Sequence, residues 1–138
     1  MKAVILAAGK GTRMRELTNE LPKPMLPVEG KPILEHIIGG LLLAGIKNIF
    51  IVTGFRADVI ESYFGDGSKW GAHITYGRQE VQDGTGKAPE VAREFIAHSS
   101  FLLTYGDILV APDTYDKMVH RFNEGYFSGV ITVTRGED

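Results

Sequence analysis

The chain has no cysteine. That excludes disulfides and thiolate metal sites, and it suits a reducing cytoplasm. It has no apolar run approaching the ~18 residues that a membrane-spanning helix needs, so no membrane partner is expected. The opening MKAVILAAGKG places one lysine before an apolar run too short for a signal peptide. There is no excess of positive charge either. The formal net charge is -2, which gives no reason to expect nucleic acid as a partner. Internal repeats, low-complexity tracts and linkers are also missing. The four histidines, at 36, 73, 98 and 120, lack ligand spacing, so no histidine metal cluster is expected.

What remains is an ordinary globular composition, 43% hydrophobic and 23% charged, in 138 residues, enough for one domain with a proper core over residues 1–138. Short continuous apolar runs end at glycine or polar residues: Ala3 to Ala8, Asn48 to Thr53, Phe101 to Tyr105 and Val130 to Thr134, with a weaker, alternating run from His73 to Gln79. Such runs are the pattern of strands covered on both faces.

Helical spacing falls between them. Pro32 stands where a first turn should begin, followed by Leu34, Ile37, Ile38, Leu41 and Leu42, with Gly45 closing. Gly39 and Gly40 lie inside that helix and imply close packing against a neighbour. The Leu41-Leu42-Leu43 run reads as core. Val59, Ile60, Tyr63 and Phe64, stopped by Gly65, make a second stripe. Val91, Ala92 and Phe95 suggest a third. Asp113 caps a fourth, with Tyr115, Met118, Val119 and Phe122 on its apolar face and Gly125 after it. The alternation predicts an α/β fold, a Rossmann-like and mainly parallel sheet with helices on both faces. The last strand has no covering helix after it. That is the expectation for the first part of a larger domain truncated at its carboxyl end, or for a homo-oligomer that covers itself by association.

One loop departs from the background. Residues 9–24 carry Lys10, Arg13, Arg15 and Lys23 against Glu16 and Glu20, a local +2 in a -2 chain. The loop follows the first strand, and in doubly wound sheets ligands sit beyond the carboxyl ends of strands. Gly9 and Gly11 let backbone N–H groups approach an anion. Arg13 offers a planar fork for phosphate oxygens and Lys23 a point charge, with Pro22 and Pro24 restricting the backbone around it. On the residues alone the loop reads either as a polyphosphate cradle or as a solvated basic loop. The dinucleotide fingerprint is incomplete, lacking its third glycine, and the P-loop pattern is absent.

LAAGKGTRM followed by LPKPMLPVEGKPILEH closely resembles the sugar-1-phosphate nucleotidyltransferases (NDP-sugar pyrophosphorylases), in particular their amino-terminal, nucleotide-binding half. The shared pattern is Gly11-Thr12-Arg13, then Lys23-Pro24-Met25, then Gln79 five residues before Gly84-Thr85, then Gly106-Asp107 ending a later strand. The resemblance implies transfer of a nucleoside monophosphate from a nucleoside triphosphate to a sugar 1-phosphate, a hexose 1-phosphate first among candidates, releasing pyrophosphate. It implies Mg²⁺ as cofactor. By motif, Ala8, Gly9, Gly11 and Thr12 would contact the nucleotide, Arg13 and Lys23 would act on its phosphates, Gln79, Gly84 and Thr85 would recognise the base, and Asp107 would hold the metal. Lys87 and Pro89 after Gly84-Thr85 depart from the family pattern. The family's sugar-binding residues and second metal-binding carboxylate lie beyond residue 138. Two alternatives stand beside this one: a nucleotide- or nucleotide-sugar-binding regulatory module without turnover, and a nucleotidyltransferase with another phosphorylated acceptor such as phosphocholine.

Overall fold

The computed structural model describes residues 1–8, 21–79, 93–96 and 100–123. Its centre is a four-stranded sheet of β1 (Lys2–Ala7), β4 (Asn48–Thr53), β5 (His73–Arg78) and β6 (Phe101–Tyr105), in the order β5-β4-β1-β6. Every pairing is parallel. The bounds of β4 and β6 are those the apolar runs predict. β1 ends at Ala7 rather than Ala8, and β5 at Arg78 rather than Gln79.

Successive residues face opposite sides of a strand, so each central strand feeds two cores. Ala3, Ile5 and Ala7 join Ile49 and Ile51 on one side, against Leu34, Ile37, Ile38, Leu41, Ile60, Phe64 and Tyr115. Those side chains come from α1 (Ile33–Leu43), α2 (Ala57–Phe64) and α4 (Thr114–Asn123). Val4, Leu6, Phe50 and Val52 form the smaller core opposite, with Phe95 and Ile96 of the one-turn helix α3 (Arg93–Ile96) against it. Helices therefore cover both faces, as the alternation predicts. Val91, Ala92, Gly125 and the run from Val130 to Thr134 lie outside the described residues.

α1 starts one residue later than expected. Pro32 is its N-cap, extended at φ -57 and ψ 148, and the helix begins at Ile33. Its end is a Schellman motif. Gly45 takes φ +83, its N–H donates to the Leu42 carbonyl at 2.9 Å, and the Ile46 N–H reaches back to Leu41 at 2.9 Å. The two internal glycines differ. A Cβ on Gly40 would meet the Tyr115 ring at 2.9 Å and the Pro112 carbonyl oxygen at 3.3 Å, whereas one on Gly39 would meet nothing within 4 Å. Only Gly40 is a packing notch, and Tyr115 of α4 fills it. The leucine run is likewise only partly core: Leu41 is buried and Leu43 is 62% exposed, because position 43 has turned onto the solvent side.

A short hairpin precedes α1, pairing β2 (Pro27–Val28) with β3 (Lys31–Pro32) across Glu29 and Gly30, both at positive φ. The apolar pattern gave no sign of it. Trp70 covers a core edge, as its Gly-rich setting suggests. It packs beside Phe64 and stacks on Tyr63, and its indole N–H donates to Glu35 at 3.2 Å. Asp66 is a turn residue, its carboxylate accepting from the Ser68 N–H at 3.0 Å. Asp113 directly precedes α4, where its carbonyl accepts from the Lys117 N–H and its carboxylate pairs with the Lys117 ammonium at 3.2 Å.

Candidate active site

The chain leaves β1 towards β4 and β5, then returns to pair β6 on the other flank of β1. Strand order reverses between β1 and β6. The carboxyl ends of that pair form the crevice where open α/β sheets hold ligands. Leu6 stands opposite Tyr105 in register, so Ala7 and Ala8 meet the segment Gly106-Asp107 at the rim.

Gly106 makes the approach close. Its N–H donates to the Leu6 carbonyl at 2.9 Å. A Cβ there would lie 3.0 Å from Ala7 Cβ and 3.4 Å from the Leu6 oxygen, tighter than a side chain normally tolerates. The strand end can lie this near β1 because position 106 has no side chain, and Asp107 comes immediately after it. The sequence motif contains Gly106 but does not reveal this steric reason.

Lys23 arrives from the other direction. It opens a 3-10 turn, Lys23–Met25, entered through extended Pro22. The turn is closed by Met25 N–H to the Pro22 carbonyl at 2.9 Å and Leu26 N–H to the Lys23 carbonyl at 3.1 Å. Pro24, Met25 and Leu26 are buried. The lysine therefore hangs from an apolar anchor rather than from a free loop. Its Nζ lies 3.7 Å from Asp107 Oδ2, with the two side chains 38% and 35% exposed. This contact joins two of the residues that the motifs single out from distant parts of the chain.

Ala8 follows β1, and its carbonyl accepts from the Phe55 N–H at 3.5 Å. Gln79 follows β5 at the same rim, two strands from β1. Its N–H donates to the Thr53 carbonyl at 2.6 Å and its side chain is buried, not on the surface as an isolated strand residue would suggest. Thr53, buried at the end of β4, donates its hydroxyl to the Gly77 carbonyl at 3.5 Å. The sequence signal for Thr53 was the polar residue closing NIFIVT. Gly9, Gly11, Thr12, Arg13, Gly84 and Thr85 lie outside the described residues.

The β5 side of the rim is internally paired. Arg78 grips Glu61 of α2 through Nε at 3.1 Å and Nη2 at 2.8 Å, and those bonds hold the Glu61 carboxyl below the usual glutamate range. Tyr76 donates its hydroxyl to the Gly65 carbonyl at 2.6 Å, and burial, helped by Glu61 and Asp66, pushes its pKa up to about 12. On the β6 side the acidic group is Asp107. A partly exposed carboxylate is the right donor for a hard, oxygen-seeking cation that takes its other ligands from phosphate and water. Among the described residues no group of three or more His, Cys, Asp or Glu side chains could enclose a metal.

Residues 2–138 match the family described as Nucleotidyl transferase. The chain belongs to that family. It is 40% identical over 130 residues to the bifunctional protein GlmU of Methanococcus maripaludis, covering 94% of this chain and 30% of that protein. It is 38% identical over 122 residues to the mannose-1-phosphate guanylyltransferase of Mycobacterium tuberculosis, covering 88% and 34%. A Bacillus anthracis structure assigned as a glucose-1-phosphate thymidylyltransferase superposes with a TM-score of 0.82 at 30% identity, over 90% of this chain and 50% of that one. The chain thus spans about a third of these two curated relatives and half of the solved one. No helix among the described residues is long and apolar enough to cross a membrane.

Proposed function

We propose that the protein is a sugar-1-phosphate nucleotidyltransferase, and that residues 1–138 form its nucleotide-binding domain. In this reading an oxygen of the sugar phosphate attacks the α-phosphorus of a nucleoside triphosphate, the bond to the β-phosphate oxygen breaks, and pyrophosphate leaves. The product is a nucleoside diphosphate sugar. The observation that carries the reading is the Lys23–Asp107 pair at the strand-order reversal of a nucleotidyl transferase sheet. The relatives' names, one for mannose 1-phosphate and one for glucose 1-phosphate, favour a hexose acceptor.

No protein nucleophile is needed for such a displacement. The protein contributes position and charge. Lys23 presents an ammonium to the reacting phosphates from a turn whose backbone is pinned by buried neighbours, so little reorganisation accompanies reaction. Arg13 grips the β- and γ-phosphates with a bidentate fork, and the backbone at Ala8, Gly9, Gly11 and Thr12 contacts the nucleotide. Gln79, Gly84 and Thr85 read the base edge. Asp107 would hold Mg²⁺, which when bound supplies neutralising charge at the phosphates. The work belongs in the cytoplasm, where both substrates would be met, and a chain without cysteine suits it.

The test is direct. The protein is incubated with Mg²⁺, each of the common nucleoside triphosphates and a panel of hexose 1-phosphates, with phosphocholine as a control acceptor. Nucleotide sugar and an equal amount of pyrophosphate are the expected products. Calorimetric binding of a triphosphate with no product from any acceptor would make the protein a binding module. Absence of triphosphate binding would remove the reading entirely.

A further inference from the structure

The segment that links the Lys23 turn to α1 is buried at its two ends and open in its middle. Pro24, Met25 and Leu26 start it in the core and Pro32 ends it there, whereas Pro27, Glu29, Gly30 and Lys31 are exposed. Two-residue strands supply too little pairing to hold a hairpin by themselves. Its turn is also strained. Glu29 sits at φ 53, a conformation that a residue with a side chain keeps when its surroundings impose it. The side chain that reaches across is His36 of α1, whose Nε2 lies 2.7 Å from the Val28 carbonyl oxygen. A carbonyl oxygen accepts and cannot donate, so Nε2 carries a proton and gives it to this bond.

Resting on the role assigned to Lys23 above, we propose that His36 is a positioning residue that acts through the hairpin to aim the Lys23 ammonium. α1 fastens the segment at two points about one turn apart. The Ile33 N–H donates to the Leu26 carbonyl at 3.0 Å, and the His36 ring takes the Val28 carbonyl. Leu26 in turn closes the Lys23 turn, its N–H donating to the Lys23 carbonyl at 3.1 Å. Burial of Pro24, Met25 and Leu26 sets the depth of that turn, but apolar packing is non-directional. Two carbonyls fixed on either side of Pro27 set its tilt. With the Val28 carbonyl released, the segment pivots about Leu26, and the ammonium at the end of the lysine side chain swings furthest. A displacement of about 1 Å at a reacting centre can cost about 100-fold, so a partial loss of aim costs about tenfold.

A double-mutant cycle tests this. kcat for nucleotide-sugar formation is measured for wild type, His36→Leu, Lys23→Ala and the double variant, with thermal unfolding followed for each. His36→Met replaces the leucine variant if that one fails to fold, and His36→Gln keeps an N–H donor at similar reach. In the wild-type background His36→Leu lowers kcat about tenfold, and His36→Gln recovers most of the loss. In the Lys23→Ala background the same change costs less than about twofold, because the group it aims is gone. Wild-type kcat in His36→Leu, the same fold-loss in both backgrounds, or a glutamine variant as slow as the leucine one overturns the positioning role and leaves the proposed function standing. No nucleotide sugar from the wild-type protein overturns the function itself.

Discussion

The two flanks of β1 are built to different standards. On the β4 side, Ile49, Ile51, Val52 and Thr53 are fully buried, and the strand ends are fastened by Thr53 to Gly77 and Arg78 to Glu61. On the β6 side, Phe101, Leu103 and Tyr105 are each 41–43% exposed, and the rim contact is the longer, half-open Lys23–Asp107 pair. Polar groups that are satisfied within the protein hold a frame together. Charged groups held at arm's length keep most of their capacity for something else. In this molecule the internally satisfied Thr53 and Arg78–Glu61 contacts and the more open Lys23–Asp107 contact lie on opposite flanks of β1.

That division can be broken at four places, in falling order of effect. Ile51→Ala removes a fully buried side chain from the firm flank and should cost about 2–5 kcal/mol of stability, read as a lower denaturant midpoint, with turnover per folded molecule unchanged. A fall in specific activity of the folded fraction would show that the firm flank also tunes chemistry. Lys23→Ala should do the reverse. Catalytic efficiency drops about 100-fold or more, about 3 kcal/mol of transition-state stabilisation, while the unfolding midpoint stays put because the pair it breaks is half-exposed. Normal activity would remove Lys23 from the mechanism.

Gly106→Ala tests the boundary between the flanks. The new methyl must displace Ala7 or the end of β6, at about 1–3 kcal/mol, and activity should fall with stability. Wild-type values for both would mean that the close approach has no consequence. The smallest effect is expected at Glu61→Gln. Arg78 holds the Glu61 carboxyl below its ordinary 4.5, so the folded form binds its proton less readily than the unfolded form. The resulting stability is present above the unfolded value and disappears as pH falls through the lowered folded value. A small loss of melting temperature near neutral pH, vanishing in acid below both values, is therefore expected. A loss that persists in acid would point to packing rather than charge.

The sequence shows the firm flank better than the open one. NIFIVT is a strand by its apolar continuity alone, and the stripe from Leu34 to Leu41 is a helix by its period. Both signals are local. The hairpin around Glu29-Gly30 escaped because glutamate seldom takes positive φ, and a two-residue strand leaves no periodicity. Gly39 and Gly40 look alike in sequence, and Tyr115, far along the chain, decides which one matters. The nearness of Lys23 and Asp107 is of the same kind. No spacing rule yields it: the cationic loop singles out Lys23 by its chemistry, whereas Asp107 is singled out only through family resemblance. The burial of Gln79 follows from the end of a neighbouring strand, which a single position cannot report.

The notch at Gly40 reaches further than its own packing. The chain running from Lys23 passes through the β2–β3 hairpin into α1, steadied by Ile33 N–H on the Leu26 carbonyl, while the chain running from Asp107 enters α4, whose Tyr115 seats in α1. Both opposite charges are thus mounted on one shared rod, like the jaws of a caliper on its beam. A methyl group added at position 40, where it would meet the Tyr115 ring, would be felt as a change in the gap between the jaws.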